Sequence, residues 1–229
     1  MRTVYLALLC LVTLLLSATE SNVPSVRPVG SMELVATFPD AMLTGITVSQ
    51  EGRIFVNFPR WGDDVPFTVA EVKDGKAVAY PDAAINKAGA LDSSDTFISV
   101  QSVVVDPANR LWIVDTGSPE FKPVKHGGPK LMCYDLKTNR LIKKIVMPAE
   151  ALAPSTYLND IRFNLKQGAE GTAFITDSSD KGENAIIVVD LASGKAWRRL
   201  NQIPAVKAVP AFLPIVEGRP ILKHEKAGA

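Results

Sequence analysis

Three short polar pairs stand at a near-constant interval in this chain: Thr44-Gly45, Gln101-Ser102 and Asn159-Asp160, 57 and 58 residues apart. Each leads into a short apolar stretch. Hydroxyl, carboxamide and carboxylate groups gathered in one place can hydrogen-bond a small polar ligand. Their oxygens can also hold a hard cation such as calcium, which takes about six to eight donors. Asn159 and Asp160 have a structural reading as well, because Asn and Asp tie down backbone amides ahead of strands. Of the three tryptophans, Trp112 and Trp197 fall inside expected strands, where packing is their role, while Trp61 follows Pro59-Arg60 at a strand exit and is left to stack on a ligand.

Other reactive side chains read as structural. Asp115 and Asp177 recur at equivalent positions, as hairpin-closing residues do. His126 with Gly127-Gly128 has the look of an oxyanion loop, yet no GxSxG nucleophile elbow exists to use it. His224 lies in the tail. Cys133 sits in an expected strand as a small buried apolar residue, and with Cys10 in the leader no internal disulfide is expected. No phosphate loop, GxGxxG, zinc spacing or protease triad is present.

The elements that must position these residues come from a repeated phrase. Gln101 to Pro119 reads strand, turn, strand: Val103 and Val105 alternate, Asp106-Pro107-Ala108-Asn109 supplies turn chemistry, and Leu111 to Val114 is apolar on both faces until Asp115 stops it. Altered copies run from Gly45 to Val56 and from Asp160 to Asp177, with Val48, Val105 and Phe163 in register. Arg53 aligns with Arg110. Each copy is followed by an outer pair of strands, with Asp74-Gly75 and Ser193-Gly194 at tight hairpins. Met32 to Phe38 alternates weakly and reads as an additional first strand. Three four-stranded antiparallel sheets in series, repeating at this length, are the signature of a β-propeller. The fold is therefore expected to be all-β, a partial propeller of about three blades of a presumed six-bladed ring.

Composition and address narrow the function. The chain has 229 residues, 47% hydrophobic and 21% charged, with a formal charge of +1, so electrostatics suggest neither nucleic acid nor an anionic membrane as partner. Residues 1–19 read as a signal peptide: Arg2, an apolar run from Val4 to Leu16 broken by Thr13, then Ser17-Ala18-Thr19. The run is shorter than the roughly 20 residues that span a bilayer. A secreted or periplasmic protein without further membrane attachment is expected, and no Asn-x-Ser/Thr sequon argues otherwise. Residues 20–42 form a lead-in with the first strand, 43–203 the three repeats, and 204–229 a Pro-punctuated tail expected to stop short of a further blade. Uncovered blade faces would then favour self-association.

The phrases FVNFPRW (Phe55 to Trp61), RLWIVDTG (Arg110 to Gly117), YLNDIRF (Tyr157 to Phe163), AFITDS (Ala173 to Ser178) and GKAWRRL (Gly194 to Leu200) together resemble the major royal jelly protein and Yellow family. The resemblance covers about Leu43 to Pro220. It implies a secreted six-bladed propeller related in architecture to calcium-dependent lactonases of the gluconolactonase type. Some Yellow relatives are linked to dopachrome and melanin chemistry, and some salivary ones bind biogenic amines. The expected ligand is therefore an amine or catechol at the channel mouth, contacted by Gln101, Asn159, Asp160 and Trp61. A lactonase-type hydrolase is the alternative, with calcium as cofactor and Asn159 in an asparagine ligand slot; a non-catalytic secreted protein is a third reading. Thr44-Gly45 stands where the lactonase pattern has a glutamate, which departs from that alternative.

Overall fold

The computed structural model describes residues 30–87, 93–201, 203–209 and 211–222. The leader at 1–19, Cys10 and His224 lie outside the described residues. The chain divides into a unit ending at Leu34, whose described residues carry no strand or helix, and a unit Val35–Ala229 that holds every strand found among the described residues.

Twelve strands form three sheets in chain order. Blade one contains β1 (Gly45–Val48), β2 (Ile54–Asn57), β3 (Val69–Lys73) and β4 (Lys76–Ala79), followed by a one-turn helix α1 (Ala83–Asn86). Blade two contains β5 (Val100–Val105), β6 (Arg110–Asp115), β7 (Lys130–Asp135) and β8 (Arg140–Val146). Blade three contains β9 (Leu158–Asn164), β10 (Thr172–Asp177), β11 (Ala185–Asp190) and β12 (Ala196–Arg199). In each blade the strands pair antiparallel in sequence order. A two-residue hairpin, β13 (Ile215–Val216) with β14 (Arg219–Pro220), lies in the tail.

The blades stack as the sequence pattern requires. In β6, Leu111 and Ile113 join Phe55, Val103, Met132 and Tyr134 in one core, between blades one and two. Trp112 and Val114 turn to the opposite face and join Leu131, Cys133, Ile161, Ile175 and Val189 between blades two and three. This is why the run is apolar at every position: both of its faces are buried. The first strands β1, β5 and β9 lie side by side, tied by Val105 N–H to Thr47 Oγ1 at 2.9 Å, Thr44 Oγ1 to Gln101 O at 3.2 Å and Ser102 Oγ to Asp160 Oδ1 at 3.4 Å. Equivalent positions of neighbouring blades thus touch, and the molecule is a partial β-propeller.

One expectation is corrected. Residues 32–38 form no strand. Phe38 instead packs its side chain against Phe58, ring centroids 5.4 Å apart, on the free face of blade one, a contact made by a side chain and not by a strand ladder.

Candidate functional site at the channel mouth

The polar pairs do converge. Thr44, Gly45, Gln101, Ser102, Asn159 and Asp160 line one cavity of about 540 Å³ along the three first strands, with Arg162 at its rim. What brings the pairs there is the behaviour of the second strand of each blade. The Asp115 carboxylate closes β6 by accepting from the N–H groups of Ile98 (2.7 Å) and Ser99 (3.0 Å) just ahead of β5. Asp177 does the same for blade three, accepting from Tyr157 N–H at 2.8 Å and Thr156 Oγ1 at 2.9 Å. In blade one Asn57 holds the equivalent position, donating Nδ2 to Thr44 Oγ1 at 2.8 Å and to Val100 O at 2.9 Å. These residues fix where each first strand begins. They do not face the ligand space.

Gly45 makes room for the Asn57 carboxamide. A Cβ at that position would lie 2.2 Å from Asn57 Oδ1, so a side chain there would have to push the buried Asn57 carboxamide aside. The glutamate of the lactonase pattern has no counterpart there.

Beside the polar cavity lies an aromatic cap. Trp61, leaving β2, donates Nε1–H to the Tyr157 hydroxyl at 2.8 Å, and that hydroxyl donates to Gln101 Oε1 at 2.9 Å. Indole nitrogen only donates, so the Tyr157 hydroxyl accepts from Trp61 and is left to give its own proton to the Gln101 carboxamide oxygen. Gln101 therefore spends its oxygen on Tyr157 and keeps its Nε2 as a donor. Burial pushes the Tyr157 phenol up to about 12, so the hydroxyl stays protonated at neutral pH. Phe121, from the loop between β6 and β7, stacks on Tyr157 with centroids 4.4 Å apart and on Trp61 at 5.9 Å. One loop from each blade contributes a ring.

The donor set does not fit a hard cation. Gln101 Oε1 is taken by Tyr157. Asp160 Oδ1 accepts from Ile161 N–H at 2.9 Å and from Arg162 Nη1 at 2.8 Å, and Gly45 offers no side chain. Asn159 donates Nδ2 to Ser178 Oγ at 2.9 Å, which leaves its oxygen and Asp160 Oδ2, short of the about six to eight donors that calcium takes. Among the described residues no group of three or more His, Cys, Asp or Glu is placed to hold a metal ion. The assignment of Asn159 as a calcium ligand is not supported by this geometry, and no step is derived through a metal.

The remaining candidates are structural. Trp112 is 1% exposed, gives Nε1–H to Asp106 Oδ2 at 2.8 Å and packs on Phe163 of the next blade. Trp197 lies in β12 under the Arg199 guanidinium. The His126 backbone oxygen accepts from Ser93 Oγ at 2.6 Å in a loop away from the mouth residues. Burial pushes the Cys133 thiol up to about 12, which removes it as a nucleophile. Reasoning from sequence missed Tyr157 and Phe121. The YLND phrase held a signal for the first, since Tyr157 stands two residues before Asn159 on the same strand approach.

Comparison with known proteins decides the family. The sequence profile described as Major royal jelly protein matches residues 98–222, more than half of the chain. The chain belongs to the major royal jelly protein family. Among its relatives, this royal jelly family member is 27% identical over 159 residues to Protein yellow of Drosophila erecta, covering 64% of this chain and 28% of the relative. It is 27% identical over 175 residues to the Yellow-related salivary protein LJM17 of Lutzomyia longipalpis, covering 68% and 41%. The matched region thus spans well under half the length of these relatives. Among solved structures, a gluconolactonase from Xanthomonas campestris overlays with a TM-score of 0.43 at 16% identity, over 69% of this chain and 48% of the other. No helix among the described residues is long and apolar enough to cross a membrane.

Proposed function

We propose that this family member is a secreted propeller protein that binds a small aromatic molecule carrying an amine or catechol hydroxyls at the channel mouth. The observation that carries the reading is the convergence of Gln101, Asn159 and Asp160 on one cavity next to the Trp61, Phe121 and Tyr157 rings. An ammonium group would pair with the half-exposed Asp160 carboxylate, in competition with Arg162. Hydroxyls would meet Gln101 Nε2 and the Asn159 carboxamide oxygen. The rings supply a flat apolar surface and, toward a cation, the attraction of their faces. The name of the salivary relative, and the family's secreted character as the leader sequence suggests it, agree with this reading. Exposed Ile46 and Val48 on the free face of blade one support self-association as a second property of the same chain.

The test is calorimetric titration of the full chain with dopamine. Binding is expected in the presence of a chelator, and Asp160→Asn is expected to weaken it about tenfold, a loss of about 1.4 kcal/mol. Calcium-dependent turnover of a simple lactone, with no dopamine binding, would replace this reading by the hydrolase one. Neither binding nor turnover would leave a non-catalytic secreted protein.

A further inference from the structure

The loop between β6 and β7 is built unlike the other connections. Its base is pinched shut: a Cβ on Gly117 would lie 2.4 Å from Pro129 N, and one on Gly128 2.8 Å from Gly117 Cα. Gly117 O accepts from Lys125 N–H at 2.9 Å, and the buried Lys130 ammonium donates to Gly128 O at 3.1 Å. Its tip is a small closed unit, Ser118 to Lys122, held by Ser118 Oγ donating to Lys122 O at 2.5 Å. Inside that unit Glu120 and Phe121 both adopt the left-handed region, with φ of 54° and 55°. Neither is glycine, and such residues persist there only where surrounding contacts over-determine them.

Few contacts hold the tip down. Glu120 N–H donates to Arg60 O at 2.8 Å, and the Phe121 ring lies on Tyr157 and Trp61. Phe121 is 45% exposed, whereas the Tyr157 beneath it is 2% exposed. The Trp61 and Tyr157 rings are bridged at their edges by a 2.8 Å hydrogen bond, and the Phe121 plane is inclined to them by only 20° and 21°. The pair is a platform wide enough for a planar ring, and the ring now on it comes from a strained, surface-borne side chain.

We propose that the Trp61–Tyr157 platform is a subsite for a planar aromatic ring and that Phe121 is its built-in occupant, displaced when a ring-bearing ligand binds. The inference deepens the ligand reading above and rests on it for the polar half of the ligand. An internal occupant lowers apparent affinity by the fraction of molecules whose platform is open. Each stacked pair favours the closed form by a factor of roughly two to ten, while the left-handed backbone at two residues opposes it. The relay from Trp61 through Tyr157 to Gln101 carries the platform's position into the polar cavity.

Calorimetric titrations of the full chain with p-cresol, a ring without an ammonium group, and with tyramine, which has both, test this. Phe121→Ala is expected to tighten binding of both probes about tenfold. Phe121→Leu, which keeps apolar bulk but not a ring, should give a smaller gain, and Trp61→Ala in the Phe121→Ala background should remove it. Unchanged melting temperatures establish that the variants fold. Equal or weaker p-cresol binding by Phe121→Ala would overturn the proposal and make Phe121 a fixed wall. If Asp160→Asn leaves tyramine affinity unchanged while p-cresol still gains from Phe121→Ala, the polar reading of the mouth fails and the platform stands.

Discussion

Lys130 is the residue on which the mouth loops depend most directly. Its side chain is fully buried, and its ammonium donates to Asp115 Oδ2 at 2.7 Å, Ser93 O at 3.0 Å and Gly128 O at 3.1 Å. Removing one partner of a buried pair costs more than the pair itself contributes, because the other charge stays buried without its counterion. Asp115 would keep its bonds from the Ile98, Ser99 and Gly117 amides, which soften the loss. Lys130→Met is expected to lower unfolding free energy by about 3 kcal/mol in urea titrations, the low end of the range for broken buried pairs. A loss below about 1 kcal/mol would mean the ammonium is dispensable. In the sequence Asp115 ends the apolar run Leu111 to Val114 and Lys130 precedes Leu131-Met132-Cys133-Tyr134. Nothing in their spacing announced that they meet, since the contact needs β6 and β7 paired in the register Asp115 with Lys130.

At the scale of elements, the repeat was legible because burial on both faces of a strand leaves a dense apolar run and the corners between strands need particular residues. Ser49, Asp106 and Asn164 occupy the same corner of the three blades, and each accepts backbone N–H groups of its own turn. The aligned arginines diverge in use. Arg110 folds back onto Asp106, while Arg53 pairs with Glu71 of its own blade at 2.7 Å and reaches across to blade two, donating to Leu136 O at 2.8 Å and Asn139 Oδ1 at 2.9 Å. The Arg53 hydrogen bonds hold the Glu71 carboxyl below its ordinary value of 4.5. A carboxyl whose pKa is depressed on folding contributes stability above its unfolded value and loses it as pH falls through the folded one. The folded state should therefore lose stability as pH drops below about 4.5, and Glu71→Gln should flatten that part of the profile. Urea midpoints measured from pH 6 down to 3 check it; parallel profiles for the two proteins would remove Glu71 from the account.

For the molecule as a whole, periodicity told how many sheets there are and which strands are innermost, and hence that Gln101, Asn159 and Asp160 share a cavity. It could not show the aromatic cap. Trp61 and Tyr157 are 96 residues apart and meet edge to edge in a hydrogen bond, under Phe121 from a loop whose backbone follows no repeat. Periodicity implied uncovered blade faces but not which side chains they present. The alternation in β1 sends Thr47 toward blade two and Ile46 and Val48 to the free side, where they are 63% and 54% exposed. The outer part of that face is covered by Phe38 and Ala41. An apolar patch on an unpaired sheet face attracts another such surface. Sedimentation velocity is accordingly expected to show concentration-dependent association of the chain, reduced by Val48→Lys. Val48 is the informative position, because Ile46 also lines the channel cavity and a change there would confound ligand binding. A chain that sediments as a monomer at all concentrations would overturn the prediction, and a Val48→Lys variant that associates as before would move the attraction away from this face. The exposed tail residues Phe212, Ile215 and Val216 would be next to examine.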